Sequence, residues 1–373
     1  MEQKQVQVAT DTFSCQACGG TLLFDPKSQN LKCPFCNSFV DVEKELITPA
    51  EYAIDKAPTE KQADWGGAVR VFSCKNCGSQ TVLEAHSTSE ICAFCGSPVV
   101  LSDQSEAGIA PESVIPFAIP KETAAASFSG WLKGKLFAPG KAKKSCTLKN
   151  IQGVYLPHWT YDTQTESEYK GQEGHAYYVT VNVQVQRDGK TVTEQRQERR
   201  IDWRPTSGHV AKDFDDVMVA GSQRLPDFLL NRVQPYDLQR LCKYQGAYLA
   251  GLASEKPVRD VKAAFEMAKE IIDGEMTRLA NNDILSRADE ARVDAIKSTH
   301  KNVKYKLVLL PMWLSSFAYK AKNYHVLVNG QNGKVGGQAP VSALKVTLAV
   351  LLAIAVIAAL LYFLQSGSAD IPM

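Results

Sequence analysis

The 373-residue chain lacks the signatures of most catalytic classes. It has no Gly-x-Ser-x-Gly elbow and no His-Glu-x-x-His, so serine-elbow and zincin hydrolysis are without their residues. Histidine is sparse: His86, His158, His175, His209, His300 and His325 stand singly. His158, beside Trp159, reads as a structural histidine. A phosphate-binding loop is missing too. Five residues separate Gly134 from Gly140, and Ala142 follows Lys141 where Ser or Thr should hold magnesium. Asp289-Glu290-Ala291-Arg292 imitates a helicase box in its letters, but it follows Leu285 to Ala288 and not an apolar strand, so no motor is expected. The start, Met1 to Thr12, is polar with no apolar run, which argues against a signal peptide and for a reducing compartment. The net charge is only +2. No catalytic residue is expected, and the chain reads as a non-enzyme.

Cysteine is not lacking, and its arrangement is specific. Eight of the ten fall into two copies of one spacing: Cys15, Cys18, Cys33 and Cys36, then Cys74, Cys77, Cys92 and Cys95. At an offset of 59 residues the copies share Phe-Ser-Cys-x-x-Cys-Gly and Cys-x-Phe-Cys-x-Ser-x-Val. Two Cys-x-x-Cys knuckles joined by a hairpin close a tetrahedron of thiolates, so each copy is expected to be a zinc ribbon holding one structural Zn2+. Zinc is favoured over iron–sulfur ligation for two closed four-sulfur sites. The residue after each knuckle has to tolerate positive φ, and Gly19, Asn37, Gly78 and Gly96 do. Phe35 and Phe94 are expected to cover the metals. Cys146 and Cys242 remain, the latter read as buried sulfur.

This organisation predicts ribbon 1 over 1–45, a polar linker over 46–70 and ribbon 2 over 71–103. An α+β domain with an antiparallel sheet follows over 109–340. Within it, Val179, Val181, Val183 and Val185 alternate with polar residues before Asp188-Gly189, a hairpin signal, and Thr191 to Trp203 returns. Strands are also expected over 151–162, 302–310, 313–319 and 324–328. Val258, Val261, Phe265, Ala268, Ile272, Met276 and Leu279 mark an amphipathic helix over 257–281. Pro120 to Phe137, Gln223 to Gln234 and Tyr236 to Leu252 read as further helices, and Asp215-Asp216 as a turn. Leu156-Pro-x-Trp159 recurs as Leu310-Pro-x-Trp313, hinting at two related strand units.

Residues 345–364 are predicted to be a transmembrane helix, followed by a short tail over 365–373. Val346 to Leu364 carries no charge, and at ~1.5 Å per residue it reaches roughly the ~30 Å of a hydrocarbon core. Lys334 and Lys345 precede it and no Lys or Arg follows, so the positive-inside rule puts the body in the cytosol. The expected location is a bacterial cytoplasmic membrane, crossed once. Charge is uneven: residues 1–105 hold 8 Lys+Arg against 13 Asp+Glu, and the remainder is correspondingly basic. Acidic ribbons argue against nucleic-acid contact, which stays the alternative reading. Lys133, Lys135, Lys141, Lys143, Lys144 and Lys149 form a basic loop, read as solvated, with anionic lipid its nearest candidate partner.

With these residues in view, the chain resembles bacterial tail-anchored membrane proteins labelled as zinc-ribbon-containing, some of which carry a primosomal-helicase label. The likeness rests on the doubled ribbons, on Tyr155 to Asp162, Phe214 to Val217, Leu309 to Trp313 and Val328 to Val335, and on the terminal helix. It implies a recruitment factor or scaffold for protein partners, in some members tied to flotillin-like band-7 proteins and membrane-stress systems. The eight cysteines carry over as metal ligands. No catalytic residue does.

Overall fold

Three strands of 30 residues or more set the architecture in this computed structural model. It describes residues 13, 15–20, 22–57, 69–73, 80–84, 111–145, 151–187, 190–223, 225–255, 257–320 and 322–366. Near the N-terminus, β1 (Leu23–Asp25), β2 (Asn30–Lys32) and β3 (Phe39–Val40) form a small antiparallel sheet. The segment after it runs along the body through β4 (Tyr52–Ala53). A hairpin of β5 (Val69–Ser73) and β6 (Gln80–Glu84) comes next. Then follow β7 (Ser113–Val114), α1 (Lys121–Lys133) and α2 (Gly140–Ser145). The long strands β8 (Gln152–Arg187) and β9 (Lys190–Ala220) pair with each other from end to end. After α3 (Asp227–Val233), β10 (Cys242–Lys243) and β11 (Ala253–Glu255), α4 (Val261–Leu285) leads into β12 (Glu290–Tyr319). The chain continues through β13 (Lys322–Asn329), β14 (Val335–Gly337) and α5 (Ala343–Ser366).

The long strands form because side chains keep a period of two along them. In β8, Thr163, Thr165, Ser167 and Tyr169 are buried while Gln164, Glu166, Glu168 and Lys170 are exposed. Small hydroxyls can face inward because neighbouring strands satisfy them. Thr163 Oγ1 donates to Lys301 O at 3.1 Å, and Ser167 Oγ to Ser298 Oγ at 2.9 Å. The cover over this face is α4, which buries Val261, Phe265, Ala268, Ile272, Met276 and Ile284 at three- and four-residue steps. Asp260 caps it, accepting from the amides of Lys262 and Ala263 at 2.9 Å. Beyond Gly174, which faces the first residue of β12, β8 and β9 run on as a two-stranded arm.

The repeated Leu-Pro-x-Trp pieces lie directly opposite one another. Leu156 pairs with Leu310 across β8 and β12, and Trp159 and Trp313 occupy matching places on either side. The likeness extends outward in detail. Gly221 N donates to Pro157 O, and Gly330 N to Pro311 O. Gly221 O accepts from Val258 and Arg259, and Gly330 O from Ala118 and Ile119. Trp159 Nε1 donates to Arg259 O at 2.9 Å and Trp313 Nε1 to Ile119 O at 2.8 Å, each acceptor standing just before the cap of a helix. Parallel to the long strands, β11 pairs with β8 and β7 with β12 at equivalent places. The body is therefore two β–α–β–β units, β7–α1–β8–β9 and β11–α4–β12–β13, related by a local two-fold axis with their first strands exchanged. Both strand-end glycines meet a crowded junction: a Cβ on Gly330 would lie 2.7 Å from the Phe117 ring, and one on Gly221 3.1 Å from Pro157 O.

Several local expectations change. Residues 236–252 are not a helix, because their backbone groups go elsewhere. Cys242 pairs with Val114, Lys243 N donates to Glu45 O, and only two 3-10 turns, Leu238–Arg240 and Gly246–Leu249, remain. The helix expected over 223–234 shortens to α3. The two strands expected over 302–319 are one, joined to residues before them. Asp188-Gly189 lies outside the described residues, although Arg187 pairs with Lys190 on either side of it. At the C-terminal end, Ala343–Leu361 of α5 is long and apolar enough to span a membrane, and none of it is buried.

Candidate metal centre

The first four cysteines come together as their spacing predicts. The Cys15 knuckle closes with Gly19 N donating to Cys15 O and Cys15 N to Gly20 O. The Cys33 knuckle repeats this with Asn37 N to Cys33 O and Cys33 N to Ser38 O. These turns need left-handed backbone, and Gly19 (φ 74°) and Asn37 (φ 61°) supply it. All four Sγ atoms lie within 4.8 Å of one another, with Cys15–Cys36 at 3.4 Å and Cys18–Cys33 at 3.5 Å. A tetrahedral ion with sulfur bonds of ~2.3 Å requires sulfurs about 3.8 Å apart, so this group could hold a metal ion. Ser38 draws the Cys36 thiol down to about 6. The Gly20 amide pulls Cys18 in the same direction, yet the crowded Cys33 and Cys36 thiols outweigh it and push Cys18 up to about 12. Were all four to ionise they would repel one another, and a cation among them would offset that repulsion. Phe35 does not bury itself over the sulfurs: it is 76% exposed and lies across Gly20. Cys74, Cys77, Cys92 and Cys95, with Gly78, Gly96 and Phe94, lie outside the described residues, as does Cys146.

The ribbon is fastened to the body. Phe24 N donates to Ala250 O at 3.0 Å, the Phe24 ring meets Tyr248 edge-on at 5.5 Å, and Gln29 Nε2 donates to Phe117 O at 2.8 Å. Leu22, Phe24, Leu31 and Cys33 share one apolar cluster with Phe117, Tyr155, Tyr248 and Trp313.

A second cluster has no counterpart in the hydrophobic pattern. Where β9 and β12 bulge on either side of β8, Asp162, Asp215 and Asp216 come within 4.8 Å. Asp215-Asp216 is thus a bulge inside β9 and not a turn, with Asp216 at φ 56°. The buried Lys306 already serves this group, its Nζ standing 2.7 Å from Asp216 Oδ1 and 3.4 Å from Glu51 Oε1. Lys304 holds Glu51 from the other side at 3.1 Å. Burial and the neighbouring Glu51 carboxylate push Asp162 up to about 7, although the Asp216 amide opposes them. We read the cluster as an ionic latch between the post-ribbon segment and the sheet. His158 is structural, as expected: it is buried, its Nδ1 faces Leu156 O at 3.2 Å, and burial lowers it to about 4.

No family model matches the chain, and no solved structure matches it. It is 30% identical over 342 residues to "Uncharacterized protein YdjG" of Bacillus subtilis (strain 168), covering 90% of this chain and 92% of that protein.

Proposed function

Starting from a chain that belongs to the same family as Bacillus subtilis YdjG, we propose a non-enzymatic, membrane-anchored scaffold that recruits protein partners at the cytosolic face of a bacterial membrane. In this reading α5 is a single C-terminal anchor. Cys15, Cys18, Cys33 and Cys36 hold one structural Zn2+, and Cys74, Cys77, Cys92 and Cys95 hold another. Four protein ligands leave zinc no open position, so it acts as a staple and not as a Lewis acid. Band-7 or membrane-stress proteins are the partner classes suggested by the tail-anchored zinc-ribbon resemblance.

One observation carries the scaffold reading: the two-stranded arm beyond Gly174. Each of its strands has a contour of about 40 Å at ~3.3 Å per residue. From Thr191 to Arg200 every residue of β9 is exposed, and none of the described residues between 175 and 202 enters an apolar cluster. A projecting arm of this kind offers a long surface and no enclosed substrate cavity. The nucleic-acid alternative draws on the same element, since exposed Tyr177 and Tyr178 stand opposite Arg200 and Arg199. The two readings separate in a crosslinked pull-down of the full chain from solubilised membranes, run beside a variant lacking the arm, with and without nuclease. A specific protein lost with the arm and indifferent to nuclease supports the scaffold. Recovered nucleic acid, or partners that vanish on nuclease treatment, would replace it with the alternative.

A further inference from the structure

The expected basic loop is partly helical, with Lys133 ending α1 and Lys141 and Lys143 inside α2, and the turn between the two helices is bolted to the root of α5. Lys345 in the first turn of α5 donates from Nζ to Leu136 O at 3.1 Å and to Ala138 O at 2.9 Å, and Ser342 N donates to Phe137 O at 2.9 Å. Lys345 is the single charge in Ala343–Leu361, and it is spent on backbone carbonyls of this loop. The carbonyls are consequently satisfied at the point where the apolar helix begins. That condition is needed if the loop's backbone dips below the hydrated headgroups toward the acyl boundary, where water is scarce.

Side chains at this junction point to the same environment. Leu136 is 79% exposed, Leu344 70%, Val341 65% and Phe137 44%, so apolar residues of the loop and of the helix root lie bare at one place. Lysines ring them. Lys133, Lys135 and Lys141 are exposed, Lys135 lies 4.8 Å from the Trp131 ring centre, and Lys143 is held by a bond to Lys133 O at 2.7 Å. Between Lys133 and Ser145 there is no acidic residue. Apolar tips within a ring of lysines suit an anionic bilayer interface, with carbon going to the acyl boundary and ammonium groups to headgroup phosphates. A solvated loop would not need its exposed leucine beside a membrane-length helix.

We propose that residues 133–141 are an interfacial membrane contact, with Leu136 and Phe137 entering the bilayer and the lysines engaging anionic lipid headgroups. This second attachment fixes how the body stands on the membrane; a lone flexible tether would not. The inference rests on α5 spanning the bilayer, and the experiment tests the two separately. The full chain is reconstituted into vesicles of phosphatidylcholine, alone or with phosphatidylglycerol, carrying photoreactive p-benzoylphenylalanine in place of Leu136, Leu352 or Val192. Lipid adducts are then read by mass spectrometry. Leu352 lies mid-helix and Val192 on the arm. We expect adducts at Leu136 at a yield comparable to Leu352 and at least about tenfold above Val192, as befits a buried apolar side chain. Lys133→Gln, Lys135→Gln and Lys141→Gln together should reduce the Leu136 yield severalfold in phosphatidylglycerol vesicles and leave Leu352 unchanged. Adducts at Leu352 with none at Leu136 beyond the arm's level would overturn the loop contact and keep the anchor. Absence at both would overturn the anchor and the inference with it. An unchanged Leu136 yield in the lysine variant would refute the headgroup half.

Discussion

Single side chains add to the strand pairing that joins the two halves of the body, and the paired tryptophans show how. Trp159 and Trp313 are both buried, and each indole N–H satisfies a carbonyl just ahead of a helix. Replacing either with Phe keeps most of the apolar volume but removes the bond to a half-buried acceptor, a loss of about 0.5–1.5 kcal/mol. Trp159→Phe and Trp313→Phe should therefore each lower the urea midpoint of the detergent-solubilised chain without changing the slope. Unchanged midpoints would mean the indole bonds contribute nothing beyond packing. This pairing was half legible in the sequence: Leu-Pro-x-Trp occurs twice, but four letters do not reveal that Arg259 and Ile119 are equivalent acceptors. They are unlike side chains, and the shared role belongs to their backbone oxygens.

At the level of elements, legibility followed the chemistry of the inward-facing residues. The helix α4 announces itself because its buried stripe is aliphatic and aromatic, and the Val179 to Val185 hairpin because valine alternates with polar residues. The stretch ahead of that hairpin, which makes β8 continuous, does not, because Thr163, Thr165 and Ser167 point inward and register as polar. Their burial depends on partners more than a hundred residues away, which no local window contains. The acidic cluster was hidden for a related reason, since a bulge depends on register between strands and not on composition. Arm and core also differ energetically. None of the arm's described residues joins an apolar cluster, so its removal should cost the body little. Replacing Tyr177–Arg200 with an Asn-Gly turn is expected to move the thermal midpoint by no more than about 3 °C. A drop several times larger would show that the arm folds back and stabilises the sheet.

Across the whole molecule, part of the uneven charge of the chain is settled internally. The acidic N-terminal segment meets the basic body through Glu45 with Lys243 at 3.3 Å and through Glu51 with Lys304 and Lys306. The same segment binds by backbone pairing at Leu46 and at Tyr52–Ala53. The first ribbon is thereby a part of the body's own packing, and a metal held there ought to be felt well beyond the cysteines. A structural zinc contributes on the order of 10 kcal/mol to folding a site like this one, far more than a ribbon of this size can supply by burial. Removing it should free Phe24 and Gln29, and so expose Tyr248, Ala250 and Phe117, which they cover. Hydrogen exchange of the full chain after strong chelation should therefore quicken in peptides covering 244–252 and 113–119 as well as in 22–40. Peptides within 261–285 should change little, because α4 packs on β8, β9 and β12 away from the ribbon. If exchange quickens in 22–40 alone, the ribbon is a separate bead that only rests on the body. If none of these segments responds, the four cysteines hold no metal that the fold depends on.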